Sequence, residues 1–445
     1  MNQTREDCVC VIGLGYVGLT LATVMAEAGF KVLGAEKRAE IVELTNQGKP
    51  HFTEPGLADA MKRAIASGSL KASTSVDESQ PCATYIITVG TPLDANGKPR
   101  LDMVEAATHE VADAMPENAL VIVRSTVKIG TTREVVMPIL QASGKPFHIA
   151  MCPERTLEGK ALLELRKLPQ IVGADTQPVR DKAAALFRRL TNSIVQVSSL
   201  EAAEILKLVD NTYRDVQFAF ANEVARLCEA YEVNASEVIA SGKLGYDRTN
   251  VPLPGLVGGP CLEKDPHIFA QSAQSRGITL EMTQASRIIN ERQPEETVEF
   301  IGKIMQQRAI GPAAKVALLG MAFKGVPATD DLRGSMSIKV IQALTRRYPE
   351  ADIHAFDPVI DTNRLGQEVT EITACEDLQS AVKGASVVII ANNHPALGEH
   401  PPATLLAMMA PNGFIYDYWN HFSDLNTGDW IKDYFAVGNI SRESL

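Results

Sequence analysis

The sequence predicts an α/β protein in which two doubly wound sheets are joined by a long central helix. Short β-branched runs bounded by glycine alternate with helix-like stretches through the first half of the chain, an alternation that is typical of a parallel sheet. Residues 199–230 have helical apolar spacing and contain neither proline nor glycine, which favours one long helix. Strand-like runs return at 315–323 and continue to 413–419, so a second α/β domain is expected.

The strand-like runs set the expected domain boundaries. A chain of 445 residues exceeds what one hydrophobic core usually serves, so several domains are expected. We predict a first α/β domain over residues 1–198, a helical domain over 199–300 and a second α/β domain over 301–445. The runs that predict strands are 8–15, 31–36, 84–90, 119–126, 147–154, 315–323, 352–358, 385–393 and 413–419.

The net charge of −11, from 43 basic and 54 acidic residues, argues against nucleic acid or an anionic membrane surface as a partner. Neither a leader-like N-terminus nor a run of about 18 apolar residues is present in the sequence. We therefore expect a cytoplasmic protein. An anionic ligand would need a local basic site.

The cysteines are seven in number and widely scattered, without a CxxC pair. This distribution argues against a disulfide framework and against a structural zinc site. Most of them are expected to be reduced, buried, small apolar residues. No metal site is predicted.

A glycine-rich turn, GLGYVG at 13–18, follows the first strand-like run and opens a helix-like segment. Such glycines let a pyrophosphate approach the N-terminus of the helix. Glu36, at the end of the second run, is placed to accept ribose hydroxyls and to repel a 2′-phosphate. A tight turn without a ligand is the alternative. We predict an NAD site, with NAD preferred over NADP, formed by Gly13, Gly15, Tyr16, Val17, Gly18 and Glu36. Thr91, Pro92 and Thr126 follow later strand-like runs, at the sheet edge where ligands bind, and are predicted to belong to the same site. A turn or a helix cap is the alternative for each.

Cys261 lies in a segment rich in glycine and proline, VPLPGLVGGPCLEKDP at 251–266. A thiol near a cation such as Lys264 loses its proton more readily and becomes a nucleophile. Lys207 and Asn211 stand four residues apart and so share one face of the central helix, and Glu154 follows a strand-like run. From the residues alone, an inert cysteine, a solvated lysine and a helix-capping carboxylate remain alternatives.

Seven motifs, in order along nearly the whole chain, resemble the UDP-glucose/GDP-mannose dehydrogenase family. Their joint occurrence is far more specific than any one of them. The motifs are GLGYVG, TP at 91–92, STVKIGTT at 125–132, PER at 153–155, LKLVDNTYR at 206–214, GGPCLEKDP at 258–266 and AFKGVPATDDLRGS at 322–335.

The resemblance implies a four-electron oxidation with two hydride transfers to NAD and no release of the aldehyde. Cys261 would capture the aldehyde as a thiohemiacetal, which is oxidised to a thioester and hydrolysed. Lys207 and Asn211 match the family residues that bind the reacting oxygen and stabilise oxyanion charge. Asp265 matches the residue that assists water and proton transfer.

The resemblance also implies a UDP-sugar substrate bound largely by the C-terminal domain. The residue that matches Arg248 crosses a subunit boundary in the family, so we expect at least a homodimer whose substrate site is completed by the neighbouring subunit. Thr126 and Glu154 would surround the reacting carbon and its water. The residues expected to contact the substrate are Glu154, Arg155, Lys207, Asn211, Arg214, Arg248, Asn250, Gly258, Lys324 and Arg333.

The segment 152–165, CPERTLEGKALLEL, departs from the PEFLREG pattern of UDP-glucose enzymes and resembles the PERxxxG form of UDP-N-acetylhexosamine enzymes. The spacing within this segment is similar to that of enzymes acting on UDP-N-acetyl-D-mannosamine, at Leu157, Gly159, Lys160, Glu164 and Leu165. Pro260 and Lys264 depart from the N-acetylhexosamine pattern, and Lys264 resembles the UDP-glucose one. We expect oxidation of the 6-hydroxyl of UDP-N-acetyl-D-mannosamine, with UDP-N-acetylglucosamine and UDP-glucose as alternative substrates.

Two hypotheses from other functional classes are alternatives to this one. A two-electron hydroxyacid dehydrogenase shares the glycine turn but needs neither a cysteine nucleophile nor a second α/β domain. A nucleotide-binding regulatory protein could keep the fold without the chemistry. The joint presence of Lys207, Asn211, Cys261 and Asp265 argues against this last reading.

Overall fold

The computed structural model describes residues 7–76, 80–94, 97–423 and 431–439, so the first six residues of the N-terminal segment lie outside it. Two compact units are present. The first comprises Met1–Asp210 and His267–Thr279, and the second comprises Asn211–Pro266 and Leu280–Leu445. The division into three domains at residues 198 and 300 stays a prediction.

The first unit is built on an eight-stranded sheet with the order β3-β2-β1-β4-β5-β6-β7-β8. Neighbouring strands are parallel except for β6 and β7, which are antiparallel. The first six positions have the order of a doubly wound nucleotide-binding fold. The strands are β1 (Cys8–Ile12), β2 (Lys31–Ala35), β3 (Leu70–Ser73), β4 (Thr84–Ile87), β5 (Ala119–Val123), β6 (Phe147–Met151), β7 (Gln170–Gly173) and β8 (Ile194–Val197).

Helices cover both faces of this sheet. Val9 and Val11 of β1 pack into one hydrophobic cluster, whereas Cys10 and Ile12 pack into another, as the alternation of side chains along a strand requires. Both faces are therefore buried, which explains the continuous apolar runs in the sequence. The helices are α1 (Tyr16–Glu27), α2 (Ala39–Asn46), α3 (Leu57–Ala66), α4 (Asp102–Ala114), a π-helical turn (Thr132–Val136), α5 (Met137–Ala142), α6 (Ala161–Lys167) and α7 (Gln177–Phe187).

The predicted central helix is present as α8 (Leu200–Ala230), which has 31 residues. Shorter helices follow it in chain order. They are α9 (Ala235–Lys243), α10 (Gly259–Leu262), α11 (Asp265–Gln274), α12 (Glu281–Glu291) and α13 (Gln293–Gln307).

The second unit carries a six-stranded, all-parallel sheet with the order β11-β10-β9-β12-β13-β14. This repeats the order of the first six strands of the other sheet, so the predicted fold of two doubly wound domains is confirmed. The strands are β9 (Lys315–Leu319), β10 (Asp352–Phe356), β11 (Thr373–Ala374), β12 (Val387–Ile390), β13 (Phe414–Asp417) and β14 (Tyr434–Ala436). The helices are α14 (Met336–Arg347), α15 (Thr362–Glu368), α16 (Leu378–Val382), α17 (Pro402–Met408) and two 3₁₀ turns (Pro395–Gly398 and Ile431–Asp433).

Cys8 and Cys82 form a disulfide, which the scattered spacing of the cysteines did not predict. Cys8 is the first residue of β1, and Cys82 lies just before β4, which pairs with β1 in parallel. The two Cα atoms are therefore 4.8 Å apart, within the range that a disulfide spans. The expectation of free, buried cysteines is confirmed for Cys10, Cys152, Cys228 and Cys375.

Several short strands were missed in the sequence because they are brief and contain polar residues that interrupt the apolar run. β3 and β7 carry Lys71 and Gln170, and β11 has two residues. Over the ranges that the structure describes, no helix combines the length and apolarity needed to cross a membrane.

Candidate active site

The glycine turn of the first unit has the geometry that the sequence predicts. Gly13 has a φ of +90°, a conformation that side chains disfavour. A Cβ atom on Gly18 would collide with the carbonyl of Gly13. Helix α1 begins at Tyr16 after Gly15, which caps it with no side chain. The free N–H groups of its first turn can therefore receive a pyrophosphate.

Glu36 lies directly after β2 and accepts a hydrogen bond from the backbone of the glycine turn. Its Oε2 accepts a 3.0 Å hydrogen bond from the backbone N–H of Leu14, and its Oε1 accepts a 3.0 Å bond from Nε of Arg38. Partial burial raises the pKa of Glu36, but the bonds from Arg38 outweigh it and the net shift is downward. The side chain is thus ionised, as an acceptor for ribose hydroxyls must be. These residues fit NAD.

Threonines align at the carboxyl ends of β4 and β5. The hydroxyl of Thr88 donates to the carbonyl of Gly13 at 2.7 Å, and the hydroxyl of Thr91 donates to the carbonyl of Thr126. The structure therefore brings Thr91 and Thr126 together, next to the strand that carries the glycine turn. Pro92 follows Thr91 and is partly exposed.

Glu154 follows β6 and is almost completely buried beside Arg124, which is itself 1% exposed. Nη2 and Nε of Arg124 donate to Glu154 Oε2 at 2.7 and 3.1 Å. The backbone N–H groups of Arg155 and Thr156 donate to Oε1 at 2.7 and 2.8 Å. Burial raises the pKa of Glu154, but Arg124 and the backbone donors more than offset it, and the pKa falls below its usual value. The side chain is held as an oriented carboxylate.

Lys207 and Asn211 of α8 are both buried, at 7% and 6% exposure. In the second unit, Asn211 Nδ2 donates a 2.6 Å bond to Asp265 Oδ2. Nζ of Lys264 lies 2.8 Å from Asp265 Oδ1. Asp265 is fully buried, so the charge of Lys264 is engaged by this carboxylate.

Cys261 is exposed and forms no disulfide. The sequence predicted a loop here, but Cys261 lies in the four-residue helix α10, because Pro260 at its start favours helical φ. The backbone N–H of Gly259 donates to the carbonyl of Gly334 at 2.7 Å. A Cβ on Gly259 would collide with the ring of Phe323. The structure therefore brings the cysteine segment beside residues 322–335, as the two motifs require.

A network of buried polar side chains also hydrogen-bonds to the backbone of the cysteine segment, residues 251–266. Arg287 Nη1 donates to Asp215 Oδ1 at 2.6 Å and to the carbonyl of Leu262 at 3.1 Å. Asn222 exchanges two hydrogen bonds with the backbone of Gly255, at 2.9 and 3.1 Å. Buried polar groups of this kind fix a backbone in one arrangement when every member is paired. The network fixes the backbone on both sides of Cys261.

The remaining predicted substrate residues have different surroundings. Nζ of Lys324 lies 5.2 Å from the ring centroid of Phe323, and Arg333 pairs with Asp331 at 2.6 Å. Arg155 pairs with Asp210 at 3.2 Å. Gly258 packs against Met336 and the carbonyl of Gly334. Arg214, Arg248 and Asn250 are exposed.

Comparison with known proteins matches three domains of one family along the chain. These are the NAD binding domain (residues 7–191), the central domain (201–292) and the UDP binding domain (317–424) of the UDP-glucose/GDP-mannose dehydrogenase family. A UDP-N-acetyl-D-mannosamine dehydrogenase from Pyrococcus horikoshii is 32% identical over 87% of this chain and 89% of its own. The chain belongs to this family.

Solved structures agree with that assignment. A UDP-D-ManNAc dehydrogenase from Pyrococcus horikoshii superposes with a TM-score of 0.87 at 30% identity, covering 97% of this chain and 99% of its own. A UDP-glucose dehydrogenase from Pyrobaculum islandicum also gives 0.87, at 27% identity over 98% and 99%. As a UDP-glucose/GDP-mannose dehydrogenase family member, the protein is an NAD-dependent oxidoreductase, and its first unit contains the NAD binding domain.

The sequence does not reveal the residues that orient the predicted site residues through hydrogen bonds. Arg124 donates to Glu154 across 30 residues of chain and to Gln170 across 46, and Arg287 donates to Asp215 across 72. No local motif marks them. The one available signal was that arginine interrupts the apolar run ALVIVRST at 119–126, where a buried charge needs a partner.

Proposed function

We propose that the protein oxidises the 6-hydroxyl of UDP-N-acetyl-D-mannosamine to the uronate, with Cys261 as covalent nucleophile. The observation that carries the chemistry is that Cys261 alone is exposed among the five cysteines outside the disulfide, all of which the structure describes. It lies on a helix clamped by Gly334 and Arg287. The sugar follows from the PERxxxG form of segment 152–165 and from the relatives named above.

In this mechanism the primary alcohol at carbon 6 is first oxidised to an aldehyde. The thiolate of Cys261 then adds to the aldehyde carbon, and oxidation of the resulting thiohemiacetal leaves a thioester. Water attacks the thioester carbon, which releases the carboxylate and restores the thiol. NAD held at the glycine turn supplies the acceptor for the hydride that leaves carbon 6 in each oxidation. Two NADH therefore form for each sugar.

The buried polar residues supply the remaining functions. Lys207 and the amide of Asn211 bind the reacting oxygen, and fixed donors of this kind stabilise developing negative charge. Asp265, held by Asn211 and Lys264, assists the attack of water. Thr126 and the ionised Glu154 surround the reacting carbon, where a carboxylate can accept a hydrogen bond from the attacking water.

UDP-glucose is the second candidate substrate, and Lys264 favours it. Lys264 matches the UDP-glucose pattern and forms the ion pair with Asp265. The purified protein is offered UDP-N-acetyl-D-mannosamine, UDP-N-acetylglucosamine and UDP-glucose separately, and NADH is followed. We expect the highest kcat/KM with UDP-N-acetyl-D-mannosamine. Turnover of UDP-glucose without turnover of either UDP-N-acetylhexosamine would contradict the proposed substrate.

We also propose a homodimer formed along α8. Tyr213, Phe220 and Leu227 of α8 are between 54% and 63% exposed and recur at intervals of seven residues, which places them on one helical face. An exposed apolar stripe of this kind marks a protein interface. The exposed Arg248 then completes the substrate site of the neighbouring subunit. A cytoplasmic location stays a prediction.

A further inference from the structure

Glu54 joins the glycine turn to the segment that follows β6. Its side chain is buried, with 6% of the residue exposed. Its Oε2 accepts a 2.7 Å hydrogen bond from the backbone N–H of Gly159 and another from the hydroxyl of Tyr16. Its Oε1 accepts a 2.7 Å bond from the backbone N–H of Ala161. One carboxylate therefore links Tyr16, at the start of α1, to a segment more than 100 residues away in sequence.

The segment 152–160 needs such a link because it has no regular backbone hydrogen bonding of its own. Gly159 has a φ of +84°, and its N–H also donates to the Tyr16 hydroxyl at 3.0 Å. Burying a carboxylate is costly unless it is fully hydrogen-bonded. Three donors meet that condition here, and hydrogen bonds to a charged acceptor are the strong ones. The backbone at Gly159 and Ala161 is thereby fixed.

The two ends of the segment are anchored separately. Arg124 holds Glu154 at its start, and Glu54 holds Gly159 at its end. Tyr16 is itself fixed, because its ring packs on that of Phe52 with centroids 4.7 Å apart. Burial and the neighbouring Glu54 raise the pKa of the Tyr16 hydroxyl far above its usual value. The hydroxyl therefore keeps its proton and donates a hydrogen bond to Glu54.

We propose that Glu54 is a positioning residue for sugar binding. Through Tyr16, it fixes the segment that carries Glu154 and Arg155 in register with the turn that binds NAD. This inference rests on the proposed function, in which Glu154 lies beside the reacting carbon of the UDP-sugar. Loosening the clamp therefore weakens the binding of the sugar nucleotide more than that of NAD, which is held by backbone groups of the turn.

The first test separates the two Michaelis constants. Glu54→Gln replaces one acceptor oxygen by an NH₂ group, which faces a backbone donor instead of accepting from it. We expect the KM for UDP-N-acetyl-D-mannosamine to rise about tenfold, while the KM for NAD changes less than about twofold. Tyr16→Phe removes one of the three donors and should give a smaller rise, about threefold.

Glu27→Gln is the matched control. Glu27 ends α1 and pairs with Arg166 of α6 at 2.7 Å, so it links the same two helices at the surface without touching the segment. Both Michaelis constants should stay at their wild-type values. An unchanged sugar KM in Glu54→Gln, or an equal rise in both constants, would overturn the proposal.

The second test needs no turnover. Hydrogen–deuterium exchange at the amides of Gly159 and Ala161 is measured in the ligand-free protein. We expect faster exchange in Glu54→Gln and wild-type exchange in Glu27→Gln, because the clamp protects these two amides. Unchanged exchange in Glu54→Gln refutes the clamp. A wild-type protein that oxidises no UDP-sugar refutes the proposed function instead, and the exchange result stands apart from it.

Discussion

The side-chain amide of Asn211 donates a 2.6 Å hydrogen bond to the carboxylate of Asp265, which is fully buried. The other oxygen of that carboxylate lies 2.8 Å from Nζ of Lys264. One oxygen is thus oriented by a residue of α8, and the other by a residue of the segment that contains Cys261. A carboxylate held in this way can accept a proton from water without first reorganising.

Asp265→Asn should lower kcat by a factor of about 100 or more. The amide cannot take up a proton, and it leaves the charge of Lys264 without its partner. UDP binding, measured by calorimetry, should be unchanged. Glu263→Gln, which removes a partly exposed carboxylate from the same segment, is the control and should keep wild-type kcat. Equal kcat values for the two variants would remove Asp265 from the mechanism.

Arg124→Met should destabilise the protein by about 3–5 kcal/mol at pH 7, the cost of leaving a buried charge unpaired. The effect should shrink at pH 5. In the wild type the pKa of Glu154 is lowered, so its stabilising contribution is complete above the unfolded pKa and is lost as the pH falls through the folded one. Without Arg124, burial raises the folded pKa instead, and acidification then neutralises the carboxyl.

The urea midpoint at the two pH values measures this difference. Arg133→Met serves as the control, since Arg133 is about 41% exposed in its pairs with Asp175 and Glu201 and such pairs contribute little. A midpoint shift no larger than that of the control, or one that is the same at both pH values, would contradict the assigned role of Arg124.

Glu36→Ser should reduce the preference for NAD over NADP by about tenfold or more. The substitution removes the charge that repels a 2′-phosphate. It also removes the carboxylate that pairs with Arg38 at 3.0 Å in the wild type, so that the guanidinium can bind the phosphate instead. The ratio of kcat/KM for the two cofactors is the measurement. Glu40→Ser changes an exposed acid nearby and should leave the ratio as it is. An unchanged ratio in Glu36→Ser would argue against Glu36 as the discriminating residue.

Leu227→Glu should shift the protein toward monomers in analytical ultracentrifugation and lower its activity, because a charge would be buried in the stripe along α8. Ile278→Glu, at a similarly exposed site outside the stripe (56% against 60%), should sediment as the wild type does. A dimer that is equally stable in both variants would place the interface elsewhere.

The sequence predicts those parts of the molecule that depend on local pattern. The strands β1, β2, β4 and β5 and the helix α8 follow from apolar runs and helical spacing, because burial on both faces or on one face imposes those periods. The glycine turn could also be predicted, because its backbone conformation restricts which residues can occupy it.

The contacts that orient the site could not be predicted in this way. Arg124, Glu54 and Arg287 form hydrogen bonds with residues 30 to 107 positions away in the chain. The sequence around each of them does not indicate which residue is its partner. The disulfide between Cys8 and Cys82 depends on the pairing of β1 with β4. Helix α10 has four residues, too few for a periodic pattern that would distinguish it from a loop.

The number of NADH molecules formed per sugar tests the central claim most directly. A limiting, known amount of UDP-N-acetyl-D-mannosamine is oxidised to completion with excess NAD, and NADH is read from its absorbance. Covalent capture of the aldehyde by Cys261 predicts two NADH per sugar, with no free aldehyde detected. One NADH per sugar would contradict the account and indicate a two-electron dehydrogenase.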